Sequence, residues 1–365
     1  MESQVKIGFA STYPPTVSGL SLYAEELSDF INSSYDDISV EKISANANRF
    51  YKNINSADIS SYDIMVYNIG NHPMNQRTFD YALKYPSIAV MHEFDISALK
   101  DKRRFALSDP LSSLIEAGNI FIVHSEDNRE RLTALKAKVF KINEFYFKNK
   151  NRIPVKSGDA IGVFGYISKS KGAGEILDSY TAYLNAKGSL NLFFAGNTAD
   201  FDLKSELRKR GLEKKVGFFE NPSDMRFDYL MESCRGAVNL RIKESGETSA
   251  NMLKLFSMKK CIAMNEQGAI SKEFKDCYFK IDINRIIPSL KEYFEAIEKR
   301  ESKIEKMSAD AYSAVKINYS IEQAASKWRE LFLKAEEIKK YNLKRKKNEA
   351  WGKIRYFKEI IGRLI

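Results

Sequence analysis

The chain has 365 residues, with 58 Lys+Arg against 48 Asp+Glu and a formal net charge of +10. At 44% hydrophobic, 12% aromatic and 29% charged, it has an ordinary soluble composition, which excludes a disordered, collagenous or disulfide-stapled chain. The length suits two domains of roughly 150 residues, and no apolar run approaches the ~18 residues of a bilayer span. No basic-then-apolar stretch precedes Val5, so no signal peptide is expected. Cys234, Cys261 and Cys277 lack metal-type spacing; buried thiols in a reducing, cytoplasmic compartment are the expectation. The charge is uneven, since residues 339–365 carry a net +8 and leave +2 for residues 1–338.

In chain order, short β-branched runs predict strands at 5–10, 38–43, 63–68, 87–91, 119–123 and 138–142. Helical patterns intervene, as at 20–31 and 125–136. A polar stretch, Lys148–Pro154, reads as a linker. A second series follows at 160–164, 190–195, 215–219, 236–240, 261–264 and 278–281, with helices at 173–187, 202–210, 223–233 and 249–259. From Ser289 onward the pattern is helical. Such alternation is the sign of parallel α/β architecture, and two doubly wound domains in tandem would face a cleft with their strand C-termini.

Several segments could carry chemistry. The first strand runs into Ser11-Thr12-Tyr13-Pro14-Pro15-Thr16-Val17-Ser18-Gly19, a small-residue loop that admits a phosphate or sugar or is a plain turn. Gly165–Gly172 follows the first strand of the second series, where Lys171 would neutralise a departing phosphate or be a solvated loop lysine. Gly246-Glu247-Thr248-Ser249 opens a helix, a natural diphosphate seat. Glu247 repels phosphate, so it either accepts hydrogen bonds from sugar hydroxyls or caps its own helix. His92 and His72 lie just past adjacent strands and are functional or structural; His124 precedes a Ser125 cap and reads as structural. No zinc spacing, serine-hydrolase elbow or Walker loop is present. Asp200-Phe201-Asp202 reads as a loop and helix cap rather than a metal-binding pair.

Taken in order, these segments resemble retaining GT-B glycosyltransferases of the group-1 type (glycosyltransferase family 4). The matching stretches are Pro14-Pro15 through Gly19 with Tyr23 and Leu27, Val90–Phe94 and Ile122–Glu126. Phe164–Tyr166 through Lys171-Gly172, Asn239–Arg241, Gly246–Ser249 and Cys261–Gly268 follow. Tyr319-Ser320 with Trp328 looks like the family's closing helix. The resemblance implies a GT-B fold of two Rossmann-like domains facing a cleft, plus C-terminal helices. It places an acceptor-binding domain at 1–150, a nucleotide-sugar-binding domain at 151–318, a closing helix at 319–338 that packs back on the first domain, and a tail at 339–365. The implied activity is metal-independent transfer of a sugar from a nucleotide-sugar donor, with retention, to a lipid-linked or polysaccharide acceptor, as in lipopolysaccharide synthesis. No cofactor is implied. His92, Glu247 and Lys171 would be catalytic; Gly19, Gly165, Lys171, Gly246, Glu247, Thr248 and Ser249 would bind donor. Ser18, Asn71, His72 and Glu93 are the acceptor-side candidates, and Phe218, Phe219 and Asn221 fall near the base by family position. The chain departs from the pattern where Leu255, preceded by Lys254, replaces the second glutamate that holds the ribose, and where Tyr166 replaces the donor-loop arginine. Those losses motivate an alternative, a non-catalytic GT-B sugar-binding or partner subunit; a nucleotide-sugar epimerase shares the fold without its carboxylate pattern being evident.

On a helical wheel the tail gathers Trp351, Ile354, Phe357, Ile361 and Leu364 on one face, downstream of Lys344-Arg345-Lys346-Lys347. This suits an anionic membrane surface, hence a peripheral position on the inner face of the cell membrane, or a helix packed on the body or a partner. Nucleic acid is not expected, because the body shows no basic groove interleaved with aromatics.

Overall fold

A computed structural model describes residues 4–16, 18–46, 48–102, 109–147, 158–242, 249–266 and 268–342. They divide into two compact units, one running to Glu144 and resuming at Ile321, the other covering Phe145–Glu244 and Ser249–Ser320. Those divisions fall at 144/145 and 320/321, against 150/151 and 318/319 expected from the sequence.

The first unit contains β1 (Val5–Ser11), α1 (Gly19–Ser34), β2 (Ile38–Ser44), β3 (Lys52–Asn53), β4 (Ile64–Ile69), α2 (Gln76–Lys84) and β5 (Ile88–Met91). It continues with α3 (Pro110–Ala117), β6 (Ile120–Val123), α4 (Glu126–Ala134) and β7 (Lys138–Lys141). Its parallel sheet has the order β3-β2-β1-β4-β5-β6-β7. Every residue of β4, β5 and β6 is buried, which is why these strands read as apolar runs, broken only by Asn68, rather than alternating ones. β3 has two residues, too few to show a period.

The second unit holds β8 (Ala160–Phe164), α5 (Ala173–Asn185), β9 (Asn191–Gly196), α6 (Leu203–Arg210), β10 (Val216–Glu220), α7 (Asp224–Ser233) and β11 (Gly236–Val238). Then come α8 (Ala250–Ser257), β12 (Cys261–Met264), α9 (Gly268–Glu273), β13 (Phe279–Lys280), α10 (Ile286–Glu298) and α11 (Ser302–Asn318). The order of its parallel sheet is β10-β9-β8-β11-β12-β13. One core joins α5 and α10 through Leu177, Tyr180, Tyr183, Tyr293 and Phe294. Another gathers Met231, Met252, Leu255, Phe256 and Val315 from α7, α8 and α11. β11 stops two residues short of expectation because the chain turns away, Ile242 N–H donating to the Ser170 carbonyl at 2.8 Å. Asp202 caps α6 by accepting from Ser205 N–H at 3.0 Å, as its sequence context predicted.

After the second unit the chain re-enters the first as α12 (Ile321–Phe332). Its apolar face buries Ala325, Trp328 and Phe332 completely. Trp328 lies 6.3 Å from the Phe9 ring and donates its Nε1–H to the Tyr23 hydroxyl of α1 at 3.1 Å. Beside it Arg329 forks onto both carboxylate oxygens of Asp37. A helical stretch then runs through 335–342, with Ile338 buried. Lys339, counted with the tail, pairs with Asp63 of the first unit at 2.7 Å. Lys344, Arg345, Lys346, Lys347, Trp351 and Phe357 lie outside the described residues. No helix among the described residues is long and apolar enough to cross a membrane.

Candidate functional site

In a doubly wound sheet the strand order reverses at a switch point, and the loops leaving the strand C-termini on either side of it splay apart to admit a ligand. The first sheet reverses between β1 and β4, the second between β8 and β11. The segments singled out in the sequence leave those strands or their immediate neighbours.

In the first unit, Gly70 follows β4, and a Cβ there would sit 2.8 Å from Leu20 Cδ2, so any larger residue would have to displace that leucine side chain. Two residues earlier Asn68 is fully buried. Its Nδ2 donates to the Leu20 carbonyl and the Ser11 hydroxyl, each at 3.0 Å, and a carbonyl can only accept. The amide oxygen therefore faces His92 Nε2, 2.7 Å away. Nε2 must carry the proton, and Nδ1 is left as a lone-pair acceptor. His92 keeps some solvent exposure, and its Nδ1 has no hydrogen-bond partner among the described residues. Burial, then the nearby His124, hold its imidazole well below the ordinary range, in the neutral form.

His124 is buried and takes the opposite tautomer, donating Nδ1–H to the Ile142 carbonyl at 2.8 Å. Burial lowers it to about 4. The two imidazole centroids are 4.7 Å apart, and Tyr23 stands 5.0 Å from the first and 5.2 Å from the second. His124 is thus structural, as expected, but also part of the wall behind His92. Ser125 caps α4 by accepting from Asn128 N–H.

The acceptor-side candidates separate. Asn71 and Glu93 come together, the Glu93 carboxylate accepting from Asn71 N–H at 2.8 Å while Asn71 Oδ1 accepts from Ala98 N–H at 2.8 Å. His72 is exposed, and its Nδ1 accepts from Met74 N–H at 3.2 Å, capping the 3₁₀ turn Pro73–Asn75. Ser18 caps α1 through Ser21 N–H at 3.1 Å. Its neighbour Gly19 has nothing within 4 Å of a notional Cβ, so no atom of the described residues demands glycine there.

In the second unit the seat is built from backbone. Gly165 has φ +99°, and a Cβ on Gly196 would fall 2.0 Å from the Gly165 carbonyl oxygen. Glycine at both positions brings the ends of β8 and β9 together. A notional Cβ on Gly165 would lie 3.0 Å from Asn251 Nδ2 and 3.7 Å from Lys171 Nζ, so an amide and an ammonium converge over its Cα. Asn251 is on the first turn of α8. Ser249 caps that helix, accepting from Met252 N–H at 3.4 Å and from Asn239 Nδ2 at 3.1 Å. Asn265 brackets the backbone of Arg241, each bond 2.9 Å. Gly246, Glu247 and Thr248 lie outside the described residues.

The two departures from the family pattern have structural counterparts. Leu255 is 1% exposed in the core, where a carboxylate would be desolvated, and Lys254 is ion-paired with Asp228. Tyr166 is 62% exposed. Sequence reasoning missed Asn68 and Asn251. The first left a signal, a polar residue inside the apolar strand Ile-Met-Val-Tyr-Asn-Ile; the second left none.

No protein-family profile and no curated protein sequence matches the chain. Among solved structures it is similar to a glycosyltransferase from Rickettsia africae, with a TM-score of 0.68 and 13% identity over 91% of this chain and 98% of that one. It is also similar to sucrose-phosphate synthase from Thermosynechococcus elongatus, with a TM-score of 0.65 and 9% identity over 91% and 99%. A third is Anabaena HepE in complex with UDP and glucose, with a TM-score of 0.65 and 14% identity over 90% and 99%. Two parallel sheets with flanking helices, followed by C-terminal helices, give this chain the two-domain, Rossmann-like GT-B fold of those proteins.

Proposed function

We propose that this chain is a retaining glycosyltransferase that moves a hexosyl-type sugar from a nucleotide-sugar donor to a lipid-linked or polysaccharide acceptor in cell-surface glycan synthesis. The observation that carries the reading is the glycine-built seat at the second sheet's switch point, where Lys171 and Asn251 meet over Gly165, in the fold of HepE. HepE has been solved with UDP-glucose as well as with UDP.

In this reading Lys171 and the Ser249 end of α8 take the diphosphate, with no metal, through an ammonium charge and unpaired helix N–H groups. Glu247 accepts from sugar hydroxyls. As the bond from the anomeric carbon to the diphosphate breaks, positive charge grows on the sugar ring and negative charge on the leaving oxygen. A fixed cation at the diphosphate favours that separation more in the transition state than in the ground state. His92, held neutral, meets a substrate hydroxyl with its free lone pair and adds no positive charge beside the developing cation. The acceptor belongs to the first unit, beside Asn71 and Glu93. The basic tail holds the protein on an anionic, cytoplasmic membrane face, at up to ~1 kcal/mol per basic residue near the surface.

A thermal-shift panel of UDP, GDP, dTDP, ADP and CMP tests the reading, since a ligand of the native state at about 100 times its Kd adds about 2.7 kcal/mol. At least one nucleotide should raise the melting temperature. His92→Ala and Glu247→Ala should each cut turnover at least ~100-fold in a folded protein. If no nucleotide shifts the melting point and Lys171→Ala changes no sugar transfer, the enzyme reading fails. The exposed Tyr166 and buried Leu255 then favour a non-catalytic subunit.

A further inference from the structure

We infer that Asn68 is a positioning residue: by accepting from Nε2–H it locks His92 in one tautomer and one ring orientation, so that Nδ1 is the atom offered to a substrate hydroxyl. The inference rests on the proposed function for what Nδ1 does, but the tautomer itself follows from hydrogen bonds alone. Asn68 is fully buried, and both of its amide protons are committed, to Ser11 Oγ and to the Leu20 carbonyl. It has no freedom to flip, because a flip would set its oxygen against the Leu20 carbonyl, which can only accept. β4 and β5 are adjacent parallel strands with Asn68 paired to Val90, so residue 92 follows β5 within reach of the amide. From α1, Tyr23 meets the His92 ring edge-on, with the ring planes at 84°. His124, after β6, packs against the same ring with centroids 4.7 Å apart and lies beside Tyr23, so packing from behind restrains the imidazole as well. Its own Nδ1–H is spent on Ile142, which keeps it from competing as a donor to His92 Nδ1. Fixing a neutral imidazole in one tautomer through a buried partner leaves the other nitrogen's role fixed too.

The chain has three histidines, so their imidazole nitrogens can be resolved and assigned by replacing each in turn. In the wild-type protein, nitrogen NMR between pH 5 and 8 should show His92 with a protonated Nε2 and an unprotonated Nδ1, and without titration. Asn68→Asp puts a carboxylate against Nε2, which favours the imidazolium, so His92 should now titrate inside that window. In transfer assays the same variant should lose kcat on the order of 10- to 100-fold at neutral pH, recover as pH rises, and leave KM within about twofold. It should cost nothing further in a His92→Ala background, whereas a merely structural Asn68 would add its own loss. Finding wild-type His92 as the Nδ1–H tautomer, or titrating in that window, overturns the inference even if Asn68→Asp fails to fold. The spectrum does not depend on turnover, so it stands or falls separately from the glycosyltransferase reading.

Discussion

At the first sheet's switch point the atoms available for chemistry belong to side chains, and each is held by another buried side chain: Asn68 on His92, His124 and Tyr23 behind it, Trp328 on Tyr23. At the second sheet's switch point the atoms are brought together by backbone, through glycines at 165 and 196 that let strands and loops approach more closely than any Cβ allows. Under the proposed function the contrast suits two tasks. A reacting sugar needs a few groups fixed in orientation, whereas a diphosphate needs close approach to backbone and positive charge. The first unit should therefore be vulnerable to side-chain truncation, and the second to the addition of a single methyl group.

The largest effect is expected from Trp328→Ala. It empties a fully buried indole site and strips the Tyr23 hydroxyl of its donor, which should cost about 3–5 kcal/mol in denaturant unfolding. A cost below about 1 kcal/mol would mean that α12 does not brace the histidine cluster. Next comes acid. His124 is neutral when folded and titrates near 4, while the unfolded imidazole takes up its proton around pH 6.5, so the unfolded state binds more protons between those values. Stability should fall by about 3 kcal/mol from this group as pH drops from 6.5 to 4, and the slope should shrink in His124→Gln. Smaller, and on the other side of the comparison, Gly165→Ala forces an L-residue to φ +99° and should cost about 1–3 kcal/mol. It should also abolish nucleotide binding while leaving the His92 resonances unmoved. The smallest effect is at the exposed Asp37–Arg329 pair. The hydrogen bond from Arg329 holds the Asp37 carboxyl below its usual 3.8, so its contribution is present above that value and disappears as pH falls through the folded pKa. Asp37→Asn should lower the melting temperature at neutral pH and have no effect in strong acid.

The fold was legible in the sequence because parallel strands buried on both faces leave unbroken apolar runs. β6 shows this plainly, and β4 does apart from Asn68. Gly165 and Lys171 were legible as strand-end residues before a helix, and Trp328 as an anchor of the returning helix. Other features were not. His72 looked like His92, and nothing local distinguishes a histidine that caps a 3₁₀ turn from one turned toward a buried amide. The partnership of Asn68 with His92 spans two strands and depends on β4 lying beside β5, which spacing does not encode. Asn251 gains its meaning only from lying over a glycine 86 positions earlier, a proximity created by the fold.

The most direct test of the account is hydrogen exchange of the full chain with and without the nucleoside diphosphate that gives the largest thermal shift. Protection should concentrate in the second unit, at residues 165–172 and the first turn of α8, and should vanish in Lys171→Ala. Protection confined to residues 68–72 and 92–93, or none anywhere, would contradict the assignment of the second sheet's switch point as the donor seat.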